Sequence, residues 1–448
     1  MKRLQLLLAL CCAHAILYAQ TVKPVGPTPS VRQAAWSEME YYFFVHFGPN
    51  TFTDLEWGKG TEHEEVFNPS RLDCRQWCRV AKAAGAKGII ITAKHHDGFC
   101  LWPSKYSTHT VAQSSWRNGK GDVLKELSEA CKEYGLKMGV YLSPWDRNHP
   151  KYGTDAYNDV FVNMMKEVVS RYGPFFEFWW DGANGEGPNG KKQVYDWHRF
   201  ESTMRTIAPN TVVFSDIGPD IRWVGNESGI AGKTNWNLLD TAGFKRGEGS
   251  PPNDTLNQGN VYGKNWITAE CDVSIRPGWF YHATEDDSVK TPERLFDLYL
   301  KSVGRGAAFL LNIPPDRRGL FNEHDSAALV GFKKLRDASF SKPLVKKENP
   351  AITNNNVTVQ LSNPGSVNCI VLEEPIKYGQ RVISFTVQLK KNKEVVKEIE
   401  ATTIGRKRIL TFAAVDADAL TIVIRETKAT PLLKTIEAYH IEESLVEK

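Results

Sequence analysis

The chain has 448 residues, of which 41% are hydrophobic and 24% charged, a composition typical of a globular protein with a large core. Its formal net charge of +4 is too small to indicate a nucleic-acid-binding protein, and no run of basic residues stands out. This length allows two or three domains, although one α/β barrel can take up most of it.

The N-terminus has the pattern of a bacterial secretory signal. Lys2 and Arg3 precede an apolar stretch over residues 6–13, and small residues follow near Ala19. The apolar stretch is too short to span a membrane. We expect a signal peptide over residues 1–19 and export to the periplasm or the medium. A lipoprotein cut before Cys11 or Cys12 is an alternative that the preceding residues fit poorly.

Short apolar runs alternate with amphipathic segments from Ala34 to Ser339. Seven runs have the length and composition of buried strands: Tyr41–Phe47, Gly88–Ala93, Lys137–Leu142, Phe175–Trp180, Thr211–Ser215, Trp266–Ala269 and Gly306–Asn312. Three helical patterns between them end at Gly85, Gly135 and Gly173. We expect each of these glycines to end its helix in the left-handed conformation.

This repetition, with seven clear strands and one poorly resolved, predicts a (β/α)8-like barrel. An open doubly wound sheet is the alternative, but no glycine-rich phosphate loop follows any strand. Beyond residues 342–356, short alternating runs such as VTVQLS and ISFTVQL replace the helical patterns. The prediction is therefore an α/β protein with the barrel at residues 20–341 and an all-β sandwich at residues 342–448.

The predicted C-terminal domain has few aromatic residues. All thirteen tryptophans precede it, and its aromatic side chains are Tyr378, Phe385, Phe412 and Tyr439. Without an exposed aromatic platform, we expect this domain to support the barrel rather than bind a ligand.

Six cysteines follow the signal segment: Cys74, Cys78, Cys100, Cys131, Cys271 and Cys369. They are scattered in apolar surroundings, unlike the framework of a disulfide-rich protein. Cys74 and Cys78 are four residues apart on a predicted helix, but neither has the second pair that a zinc site requires. We expect buried core thiols.

The run FFEFWWDGA ends in a carboxylate, Asp181. Taken alone, such an acid is more often a helix cap than a catalytic group. The other strand-like runs, however, end in equally unusual residues: His46, Lys94, His95, His96, Asp97, Tyr141, Trp145, Asp146, Trp179, Trp180, Glu227, Glu270, Asp272 and Trp279. A barrel gathers the carboxyl ends of its strands around one opening, so these side chains are predicted to share a pocket.

Imidazoles, carboxylates and aromatic rings together suit a sugar, whose hydroxyl groups need hydrogen bonds and whose C–H faces pack on rings. Two carboxylates that flank one bond are the minimum equipment for glycoside hydrolysis. By position alone, Glu270 on a clear strand is a better second carboxylate than Glu227, which lies in a loop without a strand signal. His95 and His96 would point in opposite directions on a strand, which disfavours a shared metal ion.

The motifs HFGPNTF, LEWG, KHHDGF, WWDGA, RWVGNESG and SIRPGWFYH occur in this order. With them the chain resembles the α-L-fucosidases of glycoside hydrolase family 29, over roughly residues 34–339. The resemblance implies a retaining exo-enzyme with a (β/α)8-like barrel and a C-terminal β-sandwich. It implies a fucosylated oligosaccharide or glycan as the partner and no metal ion or organic cofactor. The oligomeric state stays open.

The resemblance also assigns roles to individual residues. Asp181 in WWDGA matches the nucleophile. RWVGNESG resembles the subgroup that acts on α-1,3- and α-1,4-linked fucose, in which its glutamate, here Glu227, is the acid/base; this demotes Glu270. The fucose pocket matches His46, Glu56, Trp57, His95, His96 and Tyr141, with Trp279 against the methyl group of the sugar. Glu270 and Trp223 remain secondary candidates.

Two alternatives to this function stay open at the level of sequence. A non-catalytic fucose-binding protein could keep the barrel, although candidates for both carboxylates are intact. A retaining enzyme for α-L-galactose is a closer rival, because that sugar replaces the methyl group of fucose by a hydroxymethyl group. An apolar wall at Trp279 favours fucose.

Overall fold

A computed structural model describes residues 22–247 and 251–447, so the predicted signal segment lies outside the described residues. Ten strands in the first part of the chain are β1 (Tyr41–Val45), β2 (Gly88–Lys94), β3 (Lys137–Leu142), β4 (Glu177–Trp179), β5 (Val212–Ser215), β6 (Ile221–Trp223), β7 (Leu238–Leu239), β8 (Asn265–Trp266), β9 (Thr268–Ser274) and β10 (Ala308–Asn312). Eight of them close into a parallel barrel in the order β1-β10-β9-β6-β5-β4-β3-β2, and β7 pairs only with β8. The predicted barrel is confirmed.

The helices are α1 (Val31–Ser37), α2 (Pro49–Thr53), α3 (Cys74–Ala83), α4 (Val123–Tyr134), α5 (Ala156–Tyr172), α6 (Trp197–Ile207), α7 (Asn253–Gln258), α8 (Pro292–Lys301) and α9 (Glu323–Phe340). Several begin where a side chain caps the first turn. Asp73, Asp122 and Asp196 each accept a hydrogen bond from a backbone N–H three residues further on. Within the described residues, no helix combines the length and apolar character needed to cross a membrane.

Two of the three predicted glycine caps are confirmed. Gly85 and Gly135 have φ angles of +72° and +68°, in the left-handed region. Gly173 was predicted wrongly, since its φ is −67° and its backbone is extended. Pro174 follows it, and a proline disfavours helical geometry in the residue before it.

Side chains of the barrel strands alternate between two layers. One layer fills the barrel interior and includes Tyr42, Phe44, Tyr141, Trp179 and Phe214. The other packs between strands and helices. Trp180 belongs to this outer layer, fully buried against Trp197 and Phe200. The six cysteines are buried free thiols, as expected.

The C-terminal part is the predicted all-β domain. Its strands are β11 (Val345–Glu348), β12 (Asn356–Glu373), β13 (Val382–Lys391), β14 (Glu394–Thr402), β15 (Arg408–Thr427) and β16 (Thr435–Tyr439). They form one antiparallel sheet in the order β11-β16-β12-β15-β13-β14. The long strands β12 and β15 pair across two register shifts, and side chains from both halves of the sheet share one core.

The sheet is tied to the barrel through apolar and ionic contacts. Of the four aromatic side chains of this domain, Phe385, Phe412 and Tyr439 are buried and Tyr378 is half-buried. Lys407 lies 2.6 Å from Glu40, and Arg406 pairs with the same carboxylate. Burial opposes the charged form of Glu40, but these two cations lower its pKa to about 2. These contacts fit a supporting role for the domain.

Candidate active site

A pocket of about 150 Å³ lies at the carboxyl end of the barrel strands. It is lined by Phe44, His46, Glu56, Trp57, His95, His96, Tyr141, Trp179, Asp181, Ala183, Glu227, Asp272 and Trp279. All nine residues that the sequence placed in the catalytic and substrate-binding sets therefore meet in one cavity. The two secondary candidates, Glu270 and Trp223, do not line it.

Asp181 follows the end of β4 and is held in place by two donors. The Tyr141 hydroxyl donates to Oδ2 over 3.0 Å, and the backbone N–H of Ala183 donates to Oδ1 over 2.7 Å. A quarter of the Asp181 side chain stays exposed, toward the pocket. A fixed and accessible carboxylate of this kind can act as a nucleophile.

Glu227 lines the same pocket from an exposed loop. It follows β6 by four residues, in a loop that Asn226 closes by accepting hydrogen bonds from Ser228 and Ile230. Its side chain is exposed, and Oε2 accepts a hydrogen bond from the Trp279 indole over 3.2 Å. This carboxyl group is accessible both to solvent and to a ligand in the pocket.

The short strand β6 explains why Glu227 ranked below Glu270 when the two were compared by sequence position alone. Arg222 interrupts the apolar run over residues 221–223, so no strand signal is visible. In the fold its guanidinium is fully buried and donates to four oxygens, among them the carbonyls of Leu256 and Trp236. Glu227 therefore follows a barrel strand after all, at the end where barrel enzymes place catalytic groups.

Asp272 lines the pocket, as predicted for the residues at the strand ends, although no catalytic or binding role was assigned to it. It lies on β9, is 4% exposed, and accepts a hydrogen bond from the Trp223 indole over 3.0 Å. Burial, followed by the charges of Glu227 and Glu270, raises its pKa well above the usual range. The position of Asp272 follows from strand geometry. Alternate residues of a strand face the same side, so Glu270 and Asp272, two residues apart on β9, share the inner face of the barrel.

His95 and His96 both reach the pocket, which corrects the expectation that they point in opposite directions. The strand β2 ends at Lys94, and the chain turns there, so strand alternation no longer applies. Their ring centroids are only 4.2 Å apart. Burial lowers the pKa of His96 to about 4 and that of His95 well below its usual value. Both rings are neutral near pH 7.

Hydrogen bonds hold two pocket histidines from behind. His46 Nδ1 lies 2.8 Å from Oδ1 of Asn312, an amide oxygen that can only accept. His96 Nδ1 lies 2.8 Å from the Ser143 hydroxyl, whose own proton is donated to the carbonyl of Trp145. In each ring the proton is therefore on Nδ1. Burial also lowers the pKa of His46 to about 4.

Glu56 and Trp57 form the rim. The carboxylate of Glu56 accepts hydrogen bonds from the backbone of Trp279 over 2.8 Å and of Phe280 over 3.1 Å, and it lies 2.7 Å from His282 Nε2. It therefore fixes the loop that carries Trp279. Trp57 is 55% exposed and makes edge contacts with the rings of His96 and Trp145.

Glu270 lies beneath the pocket floor rather than in the pocket. It is fully buried and accepts hydrogen bonds from the Tyr42 hydroxyl and, over 2.8 Å, from the Trp179 indole. Its carboxyl group lies against that of Glu177, which accepts from the Trp36 indole over 2.7 Å. Burial raises the pKa of Glu270 to about 7. Because the carboxyl group is fully buried and does not line the pocket, it is out of reach of a bound ligand.

The buried pair predicts a pH dependence of stability. Burial, then the charge of Glu270, raises the pKa of Glu177 well above its usual value. The stabilisation that protonated Glu177 contributes is complete below its pKa in the unfolded chain, near 4.5. It is lost as the pH rises through the higher pKa of Glu177 in the folded protein. Glu177→Gln imitates the protonated form and removes this loss. We expect the free energy of unfolding of the variant, relative to that of wild type, to increase by about 1 kcal/mol or more when the pH rises from 5 to 8.

Urea unfolding at both pH values measures this difference. A stability difference between the two proteins that does not change with pH would contradict the raised pKa of Glu177.

Within residues 22–247 and 251–447, no group of three or more histidine, cysteine or carboxylate side chains has the geometry of a metal site. The pocket brings together four carboxyl groups (Glu56, Asp181, Glu227 and Asp272), three neutral imidazoles and a set of aromatic rings. A closed barrel with these groups at the carboxyl end of its strands has the equipment of a glycoside hydrolase.

The chain belongs to the α-L-fucosidase family, glycoside hydrolase family 29, whose family model, described as alpha-L-fucosidase, matches residues 28–334. Alpha-L-fucosidase 1 of Arabidopsis thaliana is 39% identical over 93% of this chain and 88% of the plant chain. The predicted enzyme class, an α-L-fucosidase, is thereby confirmed.

Solved structures agree with the fold. A glycoside hydrolase 29 family member from an unknown rumen bacterium is 42% identical, with a TM-score of 0.88 over 94% of this chain and 78% of that chain. A Ruminococcus gnavus GH29 fucosidase, solved in complex with fucose, is 27% identical, with a TM-score of 0.85 over 96% and 98% of the two chains.

Proposed function

We propose that the chain is a retaining exo-α-L-fucosidase in which Asp181 is the nucleophile and Glu227 the general acid/base. The observation that carries this proposal is the pairing of two different carboxylates in one small pocket. Asp181 is held rigidly by Tyr141 and Ala183, whereas Glu227 lines the pocket from an exposed loop.

In the first step, a carboxylate oxygen of Asp181 attacks the anomeric carbon of a terminal α-L-fucosyl residue. The bond from this carbon to the glycosidic oxygen breaks, and the oxygen keeps the electron pair. Glu227 gives its proton to that oxygen, so the leaving group departs as a neutral alcohol. The product is a fucosyl ester on Asp181.

In the second step, Glu227 accepts a proton from a water molecule that enters from solvent. The water oxygen attacks the anomeric carbon, and the ester bond to Asp181 breaks. Two inversions give net retention, and both carboxylates return to their starting states.

The shape of the pocket supports removal of single terminal residues. Trp179 closes the floor, where its ring stacks on Phe214 with centroids 3.9 Å apart. A cavity of about 150 Å³ matches one small sugar ring. Trp279 packs against His46, and its ring provides an apolar wall for a methyl group.

Proton NMR of the first product tests the retaining mechanism. We expect α-L-fucose to appear first from an α-L-fucoside, with the β anomer growing later by mutarotation. Initial release of the β anomer would contradict a covalent intermediate on Asp181. An aryl α-L-galactoside, assayed in parallel, should be cleaved at least about tenfold less efficiently, because its extra hydroxyl would lie against the apolar wall.

The proposed linkage preference is for α-1,3- and α-1,4-linked fucose, which the resemblance of the motif RWVGNESG supports. A panel of α-1,2-, α-1,3-, α-1,4- and α-1,6-fucosylated oligosaccharides measures it directly through kcat/KM. Faster hydrolysis of the α-1,2 or α-1,6 substrates would refute this preference and leave the two-carboxylate mechanism intact.

We also propose export, which the signal pattern over residues 1–19 supports. Mass spectrometry of the protein from the producing cells should find a mature N-terminus at Gln20. A chain that keeps Lys2 and Arg3 would contradict this proposal.

A further inference from the structure

Asp97 is a buried carboxylate directly behind the pocket, and the mechanism above does not use it. It is 1% exposed and belongs to the turn that follows β2. Its Oδ1 accepts the backbone N–H of Phe99 over 2.7 Å. Its Oδ2 is buried and has no hydrogen-bond partner among the described residues.

The nearest basic atom to this oxygen is also without a partner. Nδ1 of His95 lies 3.9 Å from Asp97 Oδ2, and it too is buried with no hydrogen-bond partner among the described residues. A buried polar atom left without a partner costs free energy, and here two of them face each other. If the ring proton of His95 is on Nδ1, it can be donated to Asp97 Oδ2 and satisfy both atoms. This requires the 3.9 Å separation to shorten, as catalytic hydrogen bonds do when a bound ligand fixes the ring.

The other two pocket histidines already show this arrangement. In His46 and His96 the Nδ1 proton is given to a group behind the ring, the amide oxygen of Asn312 or the hydroxyl of Ser143. Each neutral ring then has a lone pair on Nε2, which can only accept a hydrogen bond. Within the described residues, no protein group donates to Nε2 of His46 or of His95.

We infer that Asp97 is a positioning residue that holds the proton of His95 on Nδ1, so that His95, like His46, presents a hydrogen-bond acceptor to the sugar, whereas Nε2 of His96 lies 3.7 Å from Asp181 Oδ2. The pocket then recognises sugar hydroxyl groups as donors. This inference rests on the proposed use of the pocket for fucose. Its consequence is a specificity rule: a substituent that can accept but not donate, such as fluorine, is rejected where the sugar faces an imidazole.

The state of Asp97 is consistent with this role. Burial raises its pKa to about 6, so the carboxyl group is ionised near pH 7 and needs donors for both oxygens. Phe99 supplies one donor, and the His95 ring is placed to supply the other. An ionised carboxylate beside a histidine is a common means of fixing the tautomer of the ring.

Asp97→Asn is a near-isosteric switch. Its amide oxygen can keep the hydrogen bond from Phe99, which turns the NH₂ group toward His95 Nδ1 and forces the ring proton onto Nε2. A second acceptor is at hand for the amide, because Oδ1 of Asn50 is buried without a partner, and it flanks the same space beside Gly58 as Asp97 Oδ2. The variant should therefore fold, and Nε2 of His95 should then be a hydrogen-bond donor instead of an acceptor.

Binding of L-fucose by calorimetry gives the first readout. We expect the dissociation constant to rise about tenfold to a hundredfold in Asp97→Asn, because a donor would face a sugar hydroxyl that was bound as a donor. Asp122→Asn is the matched control. Asp122 caps α4 and contacts Arg171 and Tyr172 away from the pocket, and asparagine caps helices equally well, so its affinity should stay unchanged.

Fucoses altered singly at C2, C3 or C4 give the second readout. At the position that faces His95, wild type should lose affinity equally when the hydroxyl is replaced by hydrogen or by fluorine. Asp97→Asn should bind the fluorinated sugar better than the deoxy sugar there, because Nε2–H can donate to fluorine. A purely structural role of Asp97 would not reverse this order.

Nitrogen-15 NMR of histidine-labelled wild type bound to fucose reads the tautomer directly, with the His95 signals assigned by their loss in His95→Gln. A proton on Nδ1 supports the inference, and a proton on Nε2 overturns it even if Asp97→Asn fails to fold. Unchanged fucose affinity in a folded Asp97→Asn also overturns it. If wild type does not bind fucose at all, the proposed function fails instead.

Discussion

Asp181→Gly is expected to lower kcat/KM for an aryl α-L-fucoside by about a thousandfold or more. The carboxylate forms the bond to the anomeric carbon, so the variant has no path through a covalent intermediate. Fold and binding should survive, because the side chain of Asp181 is partly exposed and, within the described residues, accepts hydrogen bonds from Tyr141 and Ala183 alone. Steady-state kinetics and fucose binding measure the two properties separately.

Added azide sharpens the Asp181 test. A small anion can occupy the space left by the side chain and attack the anomeric carbon once, which gives the inverted β-L-fucosyl azide. Asp155→Gly provides a matched control, because Asp155 is exposed before α5 and makes no side-chain cap. Asp181→Gly that retained activity within about tenfold of wild type would show that another group is the nucleophile.

Glu227→Ala is expected to separate substrates by their leaving groups. For an oligosaccharide, whose leaving alcohol needs a proton, kcat/KM should fall by about 10²- to 10⁴-fold. For a dinitrophenyl fucoside, which departs without a proton, kcat/KM should stay within about tenfold. Loss of the general base should instead slow the second step, so the fucosyl-enzyme accumulates and a burst of phenol is seen.

The comparison variant for Glu227 is Glu270→Gln. Glu270 is buried below the floor and accepts from Tyr42 and Trp179, so its replacement should affect both substrates equally. Equal losses on both substrates in Glu227→Ala would assign Glu227 a structural role through its contact with Trp279. If Glu270→Gln lost activity on the oligosaccharide but not on the dinitrophenyl fucoside, Glu270 would again be a candidate for the general acid.

The barrel and the position of Asp181 could be predicted from local sequence. An apolar and aromatic run, interrupted only by Glu177, is predicted to be buried on both faces, and the acid after it falls at the carboxyl end of its strand. Trp179 and Trp180 alternate as strand geometry requires, one in the pocket and one in the outer layer. These features depend on spacing within a few residues.

The second carboxylate could not be predicted in this way, because its evidence is long-range. The strand before Glu227 contains Arg222, whose burial is permitted only by oxygens that lie 13 to 45 residues further along the chain. Glu270 looked better because its strand is clear. Its depth in the barrel depends on register, since it pairs with Ala308, the first residue of β10, and so lies below the opening.

The histidine pair shows the same limit. Sequence periodicity treats His95 and His96 as strand residues, but β2 ends at Lys94. The Lys94 ammonium group is fully buried and is bound by Asp146 and by the hydroxyl of Tyr157, both over 3.2 Å. These partners come from distant parts of the chain, and they fix where the strand stops and both imidazoles turn into the pocket.

The central claim is that Asp181 carries the fucosyl group covalently. The most direct measurement uses 2-deoxy-2-fluoro-α-L-fucosyl fluoride, in which fluorine at C2 slows both steps while the fluoride leaving group keeps the first step accessible. Peptide mass spectrometry of the inactivated enzyme should find the fluorofucosyl ester on Asp181, and Asp181→Gly should remain unlabelled. An ester on any other residue, or turnover with inversion and no adduct, would contradict the mechanism.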